Sequence, residues 1–405
     1  MYLQRQLQRE VLDASTFFKA VLVTGARQVG KTTMLKKLDS TRTYVSLDDS
    51  DSLALAKADP KMFFERFRPP IIIDEVQRAP ELFPYIKLMC DASEERGRFW
   101  LTGSEQFSMM KGISESLAGR VGILRLYPLS QAEIDETSFD APLDFEMDTL
   151  VAREKQAPRI TLVDLFKRIH RGGMPAIKDV KEETARKFFS SYVDTYLLRD
   201  ARNAGGVEDE AKFRKFLVAC AAHTGCQLNY STLASIAEIS QPTAKTWVAL
   251  LERMNIVRLL HTYSGNVLKS LVKMPKLYFF DTGLCAYLTG WLTPEILMLG
   301  NAAGRFFETY VVSELTKTLD YSGMPYDLRY YRDEAKNEID ILLEWDGKVH
   351  PLEVKLAASP NMRDVKRFGL LEKAGIERGR GGIICLCDTV LPLSQTDCAI
   401  PIGVI

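Results

Sequence analysis

The sequence of 405 residues predicts an α/β protein built from several domains. Three observations lead to this prediction. Near the N-terminus a short apolar strand runs into a glycine-bearing turn and a helix, amphipathic helices fill the middle of the chain, and two alternating strands flank an Asp-Gly pair near the C-terminus. The hydrophobic fraction of 46% and the charged fraction of 26% are typical of a globular protein with ordinary cores.

Composition excludes several classes of protein. The N-terminal stretch MYLQRQLQREVLDAS has no apolar signal region, and no apolar run approaches the roughly 18 residues that cross a bilayer. We therefore expect a cytoplasmic protein without a membrane partner. The seven cysteines are scattered and form no C-x-x-C pair, so we expect reduced thiols rather than disulfides or a zinc site.

Charge is unevenly distributed although the formal net charge is zero. Residues 151–275 carry 20 Lys and Arg against 12 Asp and Glu, a surplus of eight basic residues. Such a surplus suits a nucleic-acid partner, and solvated helix faces explain it equally well.

The first motif, VLVTGARQVGKTTMLKKL at residues 21–38, is typical of a phosphate-binding loop. Gly25, Gly30, Lys31 and Thr32 fill the pattern GxxxxGK(S/T) between a strand and a helix. Glycines let the backbone wrap phosphates, helix amides hold negative charge, the lysine reaches the β- and γ-phosphates and the threonine binds Mg²⁺. The predicted nucleotide-binding residues are Gly25, Ala26, Arg27, Gln28, Val29, Gly30, Lys31, Thr32 and Thr33.

A second motif, PPIIIDEVQRAPELF at residues 69–83, ends a strand of three isoleucines in two acids. We expect Asp74 to hold Mg²⁺ through water and Glu75 to act as general base on the attacking water. Together with the loop about fifty residues upstream, this pair indicates nucleotide hydrolysis rather than storage.

Two further segments complete the predicted nucleotide domain. RFWLTGSEQF at residues 98–107 ends a buried strand in a polar group, and we expect Thr102 and Ser104 to sense the γ-phosphate. Arg120, in SLAGRVGILRLYPLS, is a candidate arginine finger within the chain or across a subunit boundary, with a surface arginine as the alternative.

The order of these motifs, with DEVQRAPELFPYIK, then LTGS, then AGR before LYPLS, resembles a prokaryotic family of predicted AAA+ ATPases with a C-terminal domain of unknown function. The resemblance covers nearly the whole chain. It implies a P-loop AAA+ core with a parallel sheet at residues 1–135, and ATP with Mg²⁺ as cofactors. Many AAA+ relatives form rings, so a homo-oligomer is compatible with the resemblance, although the sequence shows no interface.

Residues 136–213 are predicted to form a helical lid or linker. The first part, residues 136–160, is acidic and then weakly periodic, which indicates an exposed excursion. RGGMP at residues 171–175 predicts a helix end, because glycine and then proline follow the periodic stretch.

Residues 214–285 have the pattern of a winged helix-turn-helix. A short helix capped near Ser231, a turn around Ser240 and a second helix with Pro242 in its first turn precede strand-like segments on both sides of SGN. The second helix is expected to bury Ala244, Val248, Leu251 and Met254. Its solvent face would present the candidate DNA contacts Thr243, Lys245, Thr246 and Arg253. A protein-docking role for this unit remains the alternative.

The tail, residues 286–405, reads as helix, three strands, helix and strand, the core order of the restriction-endonuclease-like α/β fold. In EIDILLEWDGKVHPLEVK, an Asp346-Gly347 turn would pair Trp345 with Lys348. The same register would place two carboxylates opposite each other, which is unfavourable unless something neutralises them.

Those two carboxylates belong to Asp340 and Glu353. With Lys355 they resemble the D…ExK signature of PD-(D/E)XK nucleases, and Glu308 matches an additional helix acid of that family. The resemblance implies Mg²⁺ held by Asp340 and Glu353. The alternative is a polar sheet face on which Lys355 neutralises the acids.

These features together predict a Mg²⁺-dependent AAA+ ATPase, with Lys31, Glu75 and Arg120 in catalysis, that acts on or with nucleic acid, DNA being favoured. The alternative is a nucleotide-gated regulator whose nuclease-like tail is inactive and recognises protein or DNA.

Overall fold

The structure is a computed structural model. It describes five stretches of the chain, residues 2–103, 117–139, 142–203, 207–263 and 274–405. The candidate sensor Ser104 and the SGN segment at residues 264–266 lie outside the described residues.

The first sheet has five parallel strands, β1 Ala20–Thr24, β2 Thr43–Ser46, β3 Ile71–Asp74, β4 Phe99–Gly103 and β5 Val121–Arg125. Their order across the sheet is β2-β3-β4-β1-β5. Strands β1, β3 and β4 are buried along their whole length, as expected for parallel strands with covered faces. The accompanying helices are Leu7–Phe17, Lys31–Leu38, Ser50–Ala58, Pro60–Arg66 and Leu82–Asp91, with a 3-10 turn at Val76–Arg78.

Helices follow this sheet at Gln131–Ile134, Met147–Glu154, Leu162–Arg171, Glu182–Tyr192 and Leu198–Asn203. A 3-10 turn occupies Pro175–Ile177, and a π-helical turn, Val193–Leu197, joins the last two helices. The predicted helix end is present, because Leu162–Arg171 stops at Gly172 with φ of 72°. The predicted exposed excursion is wrong in part: Leu143, Phe145 and Leu150 are fully buried, because they pack into the main hydrophobic core.

The next unit contains the helix Glu210–Ala222, β6 Cys226–Gln227, the helices Tyr230–Ala237 and Gln241–Arg253, β7 Val257–Thr262 and β8 Lys276–Phe279. The first of the two central helices is capped by Asn229 rather than near Ser231, since the Asn229 side chain accepts from the Thr232 amide. Ser240 caps the second helix in the same way.

The helix Gln241–Arg253 buries the predicted face. Ala244, Val248 and Leu251 are at most 1% exposed, whereas Met254 is half-buried. Trp247 also faces the core, where its ring packs edge-on against Phe213 and Phe216. The indole therefore anchors this helix to the helix Glu210–Ala222.

The tail begins with the helices Thr282–Leu288, Pro294–Leu299 and Ala303–Tyr321. Its strands are β9 Asp327–Arg332, β10 Glu338–Trp345, β11 Lys348–Val354, β12 Gly381–Cys385, β13 Leu391–Pro392 and β14 Asp397–Pro401. The helix predicted between β11 and β12 is broken into Met362–Val365, a 3-10 turn Lys366–Phe368 and Gly369–Lys373. A last 3-10 turn, Ile402–Val404, follows β14.

The hairpin has the predicted register. Trp345 pairs with Lys348 and Ile341 with Leu352, so one further step places Asp340 opposite Glu353. Asp346 and Gly347 have φ of 50° and 72°, the positive values that a type I′ turn needs.

The strands of both C-terminal units form one nine-stranded sheet in the order β13-β14-β12-β11-β10-β9-β7-β8-β6. Parallel pairing of β7 with β9 joins them, through His261 with Arg329 and Thr262 with Tyr330. Strands on both sides of the boundary predicted at residue 285 therefore share a single sheet. Within the described stretches, no helix combines the length and apolar character needed to span a membrane.

Candidate nucleotide site and the tail carboxylate cluster

The phosphate-binding loop runs from the end of β1 to the helix Lys31–Leu38. Gly30 has φ of 96°, and Gly25 has φ of 145°. A Cβ at position 25 would lie 2.1 Å from the Leu126 carbonyl oxygen, so only glycine fits against that backbone. Gln28 also has positive φ, 62°, which adds a left-handed residue to the turn. Thr33, in the first helical turn, is exposed.

Lys31 is held inside this loop. Its side chain is buried, and its ammonium donates to the carbonyl oxygens of Gly25 at 3.0 Å and Ala26 at 2.8 Å. Burial lowers the pKa of Lys31 to about 8, although the nearby carboxylates of Glu75 and Asp74 act in the opposite direction. The cation therefore lies at the loop, where phosphate oxygens would replace backbone carbonyls as its partners.

Asp74, at the end of β3, collects three hydroxyl donors. Thr32 donates to its Oδ1 at 2.6 Å, Thr102 donates to the same oxygen, and Tyr44 donates to Oδ2 at 3.3 Å. The carboxyl ends of the parallel strands β3 and β4 bring these groups together. A hydroxyl in contact with a carboxylate is a donor set that suits Mg²⁺, so Thr32 and Asp74 fit the predicted metal role.

Glu75 follows Asp74 at the same edge and has φ of 56°. Its amide donates to Thr102 Oγ1 at 3.3 Å, and its carboxylate accepts from Gln77 Nε2. The Thr102 hydroxyl therefore contacts the carboxylate of Asp74 and the backbone amide of Glu75.

Arg120 lies away from this site. It immediately precedes β5 at the amino edge of the sheet, whereas the loop follows the carboxyl end of β1. Its guanidinium forms two hydrogen bonds with Asp91, at 2.6 and 3.1 Å. The arrangement does not support the predicted finger within the same chain, because the two strands are parallel; a role across a subunit boundary stays a prediction.

Two contacts to the loop were not predicted. Arg27 pairs with Asp200 of the helix Leu198–Asn203 at 2.5 Å, and the Asp200 carboxylate is 7% exposed. Arg5 donates to the Val29 carbonyl at 2.6 Å and to the Tyr127 carbonyl at 2.7 Å. Asp200 and Arg5 lie outside the loop motif, so the motif alone does not reveal either contact.

The four candidate DNA contacts have different environments. Lys245 and Thr246 are exposed, whereas Thr243 is half-buried and shares a hydrogen bond with Ser240 at 2.7 Å. Arg253 is half-buried and lines a cavity between this helix and the helix Ala303–Tyr321. Arg253 is therefore only partly exposed, and its contact with DNA stays a prediction.

In the tail, Asp340 and Glu353 each have a polar partner within the hairpin. Glu353 is 1% exposed, and its Oε2 lies 3.0 Å from the Lys355 ammonium. Asp340 accepts a hydrogen bond at 3.0 Å from the Val354 amide. Lys355 thus neutralises Glu353, as in the alternative interpretation of this hairpin.

Glu308 faces a second lysine. It accepts from Lys276 at 2.9 Å and from the Tyr278 hydroxyl at 2.6 Å, and Lys276 also lies 2.6 Å from Glu338. The Lys276 side chain is 5% exposed. In the part of the chain that the structure describes, no group of three or more His, Cys, Asp or Glu side chains is arranged to hold a metal ion. The Mg²⁺ site predicted at the two carboxylates Asp340 and Glu353 stays a prediction.

Burial dominates the protonation of these acids. Desolvation and the Asp340 carboxylate raise the pKa of Glu353 to about 7, against the opposing effect of Lys355. Desolvation likewise raises the pKa of Glu308, despite the attraction of Lys276. Both groups favour the proton more than an exposed glutamate does.

We predict a pH-dependent stability term from Glu353. Its pKa is raised on folding, so its contribution is complete below the unfolded value of 4.5 and is lost as pH rises through about 7. Between about pH 5 and pH 8, the free energy of unfolding of the wild type should fall by roughly 1–3 kcal/mol relative to Glu353→Gln. Urea denaturation at several pH values measures this difference.

The control is Glu377→Gln, which changes an exposed glutamate of the same domain. Its stability should follow the wild-type curve across the pH range. Parallel curves for wild type and Glu353→Gln would contradict the raised pKa.

Three family models match the chain. Residues 17–135 match an AAA domain, residues 162–295 a domain of unknown function (DUF8612), and residues 303–405 a domain of unknown function (DUF4143). The first match covers the five-stranded sheet and the phosphate-binding loop. The last covers the long helix and the strands of the tail.

Two relatives that match most of the chain carry the description 'uncharacterized protein'. Proteins of Mycobacterium tuberculosis and Mycobacterium bovis are each 27% identical over 383 residues, covering 94% of this chain and 79% of the relative. Among solved structures, the Walker-type ATPase PABY2304 of Pyrococcus abyssi is 13% identical with a TM-score of 0.43, covering 71% of this chain and 96% of that one. Residues 17–135, which contain the five-stranded parallel sheet and the phosphate-binding loop, are thus similar to an AAA domain.

Proposed function

We propose that this protein binds and hydrolyses ATP with Mg²⁺ at the phosphate-binding loop. One observation carries the proposal: the buried Lys31 ammonium lies within the loop, while the adjacent Thr32 hydroxyl contacts Asp74 at 2.6 Å. The match of residues 17–135 to an AAA domain supports it.

Each side chain has a distinct role in this mechanism. Loop amides and Lys31 bind the β- and γ-phosphate oxygens, and Thr32 and Asp74 would hold Mg²⁺, which neutralises charge on the phosphates. Glu75 accepts a proton from the attacking water. Thr102, which contacts both acids, is placed to respond to loss of the γ-phosphate.

The Arg27–Asp200 ion pair connects the phosphate-binding loop to the helical segment after the first sheet. Asp200 comes from the helical segment after the first sheet, and Tyr192 of the same segment donates to the Arg27 carbonyl at 3.5 Å. A triphosphate would compete with Asp200 for Arg27, because both are anions. The helical segment is therefore expected to move when nucleotide binds.

We predict that Lys31→Ala abolishes ATP turnover. Loss of a preorganised charged contact to the transferred phosphate should lower kcat about 10²-fold or more. Steady-state ATPase assays and ATP titrations of the pure variant measure this. Lys37→Ala removes an exposed lysine of the same helix and should leave both quantities unchanged. Undiminished turnover in Lys31→Ala would overturn the assignment.

A second proposed activity is nucleic-acid contact, with DNA favoured, through a winged helix-turn-helix. The order helix, strand, two helices, two antiparallel strands at residues 210–279 supports the motif. Lys245 and Thr246 are exposed on the second central helix, and residues 151–275 carry the basic surplus. The helix is weakly basic, so phosphate contacts rather than base readout would supply most of the affinity.

We predict that Lys245→Ala weakens binding of duplex DNA and lowers the slope of log K against log salt by about 1, because one phosphate contact is lost. Fluorescence anisotropy at several salt concentrations measures both. Lys57→Ala, which removes an exposed lysine from the helix Ser50–Ala58, is the matched control. Salt-independent or absent binding would leave protein docking as the role of this unit.

The tail is proposed to recognise a partner rather than to cut nucleic acid. Lys355 contacts Glu353 at 3.0 Å and Lys276 contacts Glu308 at 2.9 Å, so two of the candidate metal-binding acids already have a lysine partner. Asp340 and Glu353 remain two carboxylates that a metal would have to compete for against these lysines. Of the two alternatives drawn from the sequence, the inactive tail therefore has more support.

We predict no saturable Mn²⁺ binding that depends on Asp340. Calorimetric titration of wild type and Asp340→Asn should give the same response, and neither should nick DNA with Mn²⁺ or Mg²⁺ present. Cleavage that is present in wild type and lost in both Asp340→Asn and Lys355→Ala would establish a nuclease instead.

A further inference from the structure

A cavity of about 540 Å³ lies between the end of β5, the C-terminal end of the helix Gln241–Arg253 and the helix Ala303–Tyr321. Three parts of the chain that are far apart in sequence form its walls. Its lining residues are Arg125, Glu252, Arg253, Val257, Arg258, Leu259, Phe280, Asp320 and Tyr326. The cavity is outside the nucleotide site and the tail carboxylate cluster.

Three guanidinium groups converge on this space, from Arg125, Arg253 and Arg258. Arg258 donates to two neutral hydroxyls, Thr316 at 2.9 Å and Tyr326 at 3.4 Å. No residue that the structure describes forms an ion pair with Arg258. Its charge is thus held in place by neutral partners, which leaves the charge itself to interact with a ligand.

The Asp320 carboxylate attracts Arg125 and Arg258 and offsets part of their charge. Both oxygens of Asp320 accept phenol hydrogen bonds, from Tyr127 at 2.6 Å and from Tyr326 at 2.5 Å. Glu252 is exposed. Three arginines against two carboxylates leave the lining with a positive balance.

We propose that this cavity binds a phosphate-bearing ligand, either a free nucleotide or the phosphorylated end of a nucleic acid. Planar guanidinium groups match phosphate oxygens in pairs, and arginine is the preferred residue for such contacts. Tyr326 offers aromatic surface for a base. The volume falls within the range of roughly 300–1,000 Å³ that is common for small-ligand sites.

The site is also connected to the phosphate-binding loop. Arg125 is the last residue of β5, and the next residue, Leu126, donates from its amide to the Thr24 carbonyl at 2.8 Å. The Leu126 carbonyl is the group that closely approaches Gly25. A ligand in the cavity would therefore lie one residue away from the backbone that contacts the loop. Arg253 belongs both to the cavity lining and to the helix of the proposed nucleic-acid contact.

The test uses the full-length Lys31→Ala protein, so that the loop does not contribute to binding. Calorimetry would measure inorganic pyrophosphate and a short oligothymidylate with and without a 5′-phosphate. We expect saturable binding of a phosphate-bearing probe that Arg258→Gln weakens about tenfold or more, with Arg258→Lys intermediate because the lysine keeps charge but loses the fork. Arg9→Gln, an exposed arginine on the first helix, is the control.

The two sources of phosphate give different results. Binding of pyrophosphate supports a free nucleotide, and binding only of the 5′-phosphorylated oligonucleotide supports a nucleic-acid end. If Arg258→Gln fails to fold, Arg125→Gln at the exposed strand end replaces it. The proposal is overturned if no phosphate-bearing probe binds, or if both arginine variants bind as the control does. Because the Lys31→Ala background has no functional loop, this outcome is independent of the ATPase assignment.

Discussion

A buried polar contact between the segment after β5 and the helix Ala303–Tyr321 holds the two sheets in one arrangement. The backbone amide of Gln131 donates to the Glu314 carboxylate at 2.7 Å. The Lys317 ammonium donates to Glu314 at 2.7 Å and to the Leu129 carbonyl at 3.1 Å. Glu314 and Lys317 side chains are 2% and 4% exposed. Buried charges are tolerated only when fully hydrogen-bonded, so this geometry permits little displacement. The LYPLS segment supplies part of that contact, because Leu129 belongs to it.

The same segment reaches the nucleotide site through its first residues. The Tyr127 carbonyl accepts a hydrogen bond from Arg5, which also donates to the Val29 carbonyl of the loop. Arg5 forms an ion pair with Glu133 at 3.0 Å. Arg27 and Asp200 tie the opposite part of the loop to the helical segment. The phosphate-binding loop is thus connected to two distant regions by charged side chains. A nucleotide bound at Lys31 would change the electrostatic environment of Arg5 and Arg27. Through these two side chains, binding at the loop would be coupled to the distant regions.

In the tail, two acids of the sequence signature have lysine partners. Opposed carboxylates at Asp340 and Glu353 require a counter-charge, since like charges directly opposite on a sheet are destabilising. Lys355 provides it for Glu353, although burial and the Asp340 carboxylate still raise the pKa of Glu353 to about 7. Lys276, contributed by β8 of the preceding unit, does the same for Glu308. For Glu308 the counter-charge therefore comes from outside the tail, and the sequence of the tail alone does not reveal it.

The sequence by itself determined the local features. The spacing of Gly25, Gly30 and Lys31 predicted the loop, and the Asp-Gly pair predicted the hairpin and its register, because tight turns and helix starts depend on adjacent residues. Tertiary structure decided what those features touch. It pairs β7 with β9 and places Arg253 in the wall of a cavity. It also separates Arg120 from the loop and brings Asp200 into contact with Arg27. Each of these depends on packing between residues far apart in the chain, and local periodicity carries no information about such distances.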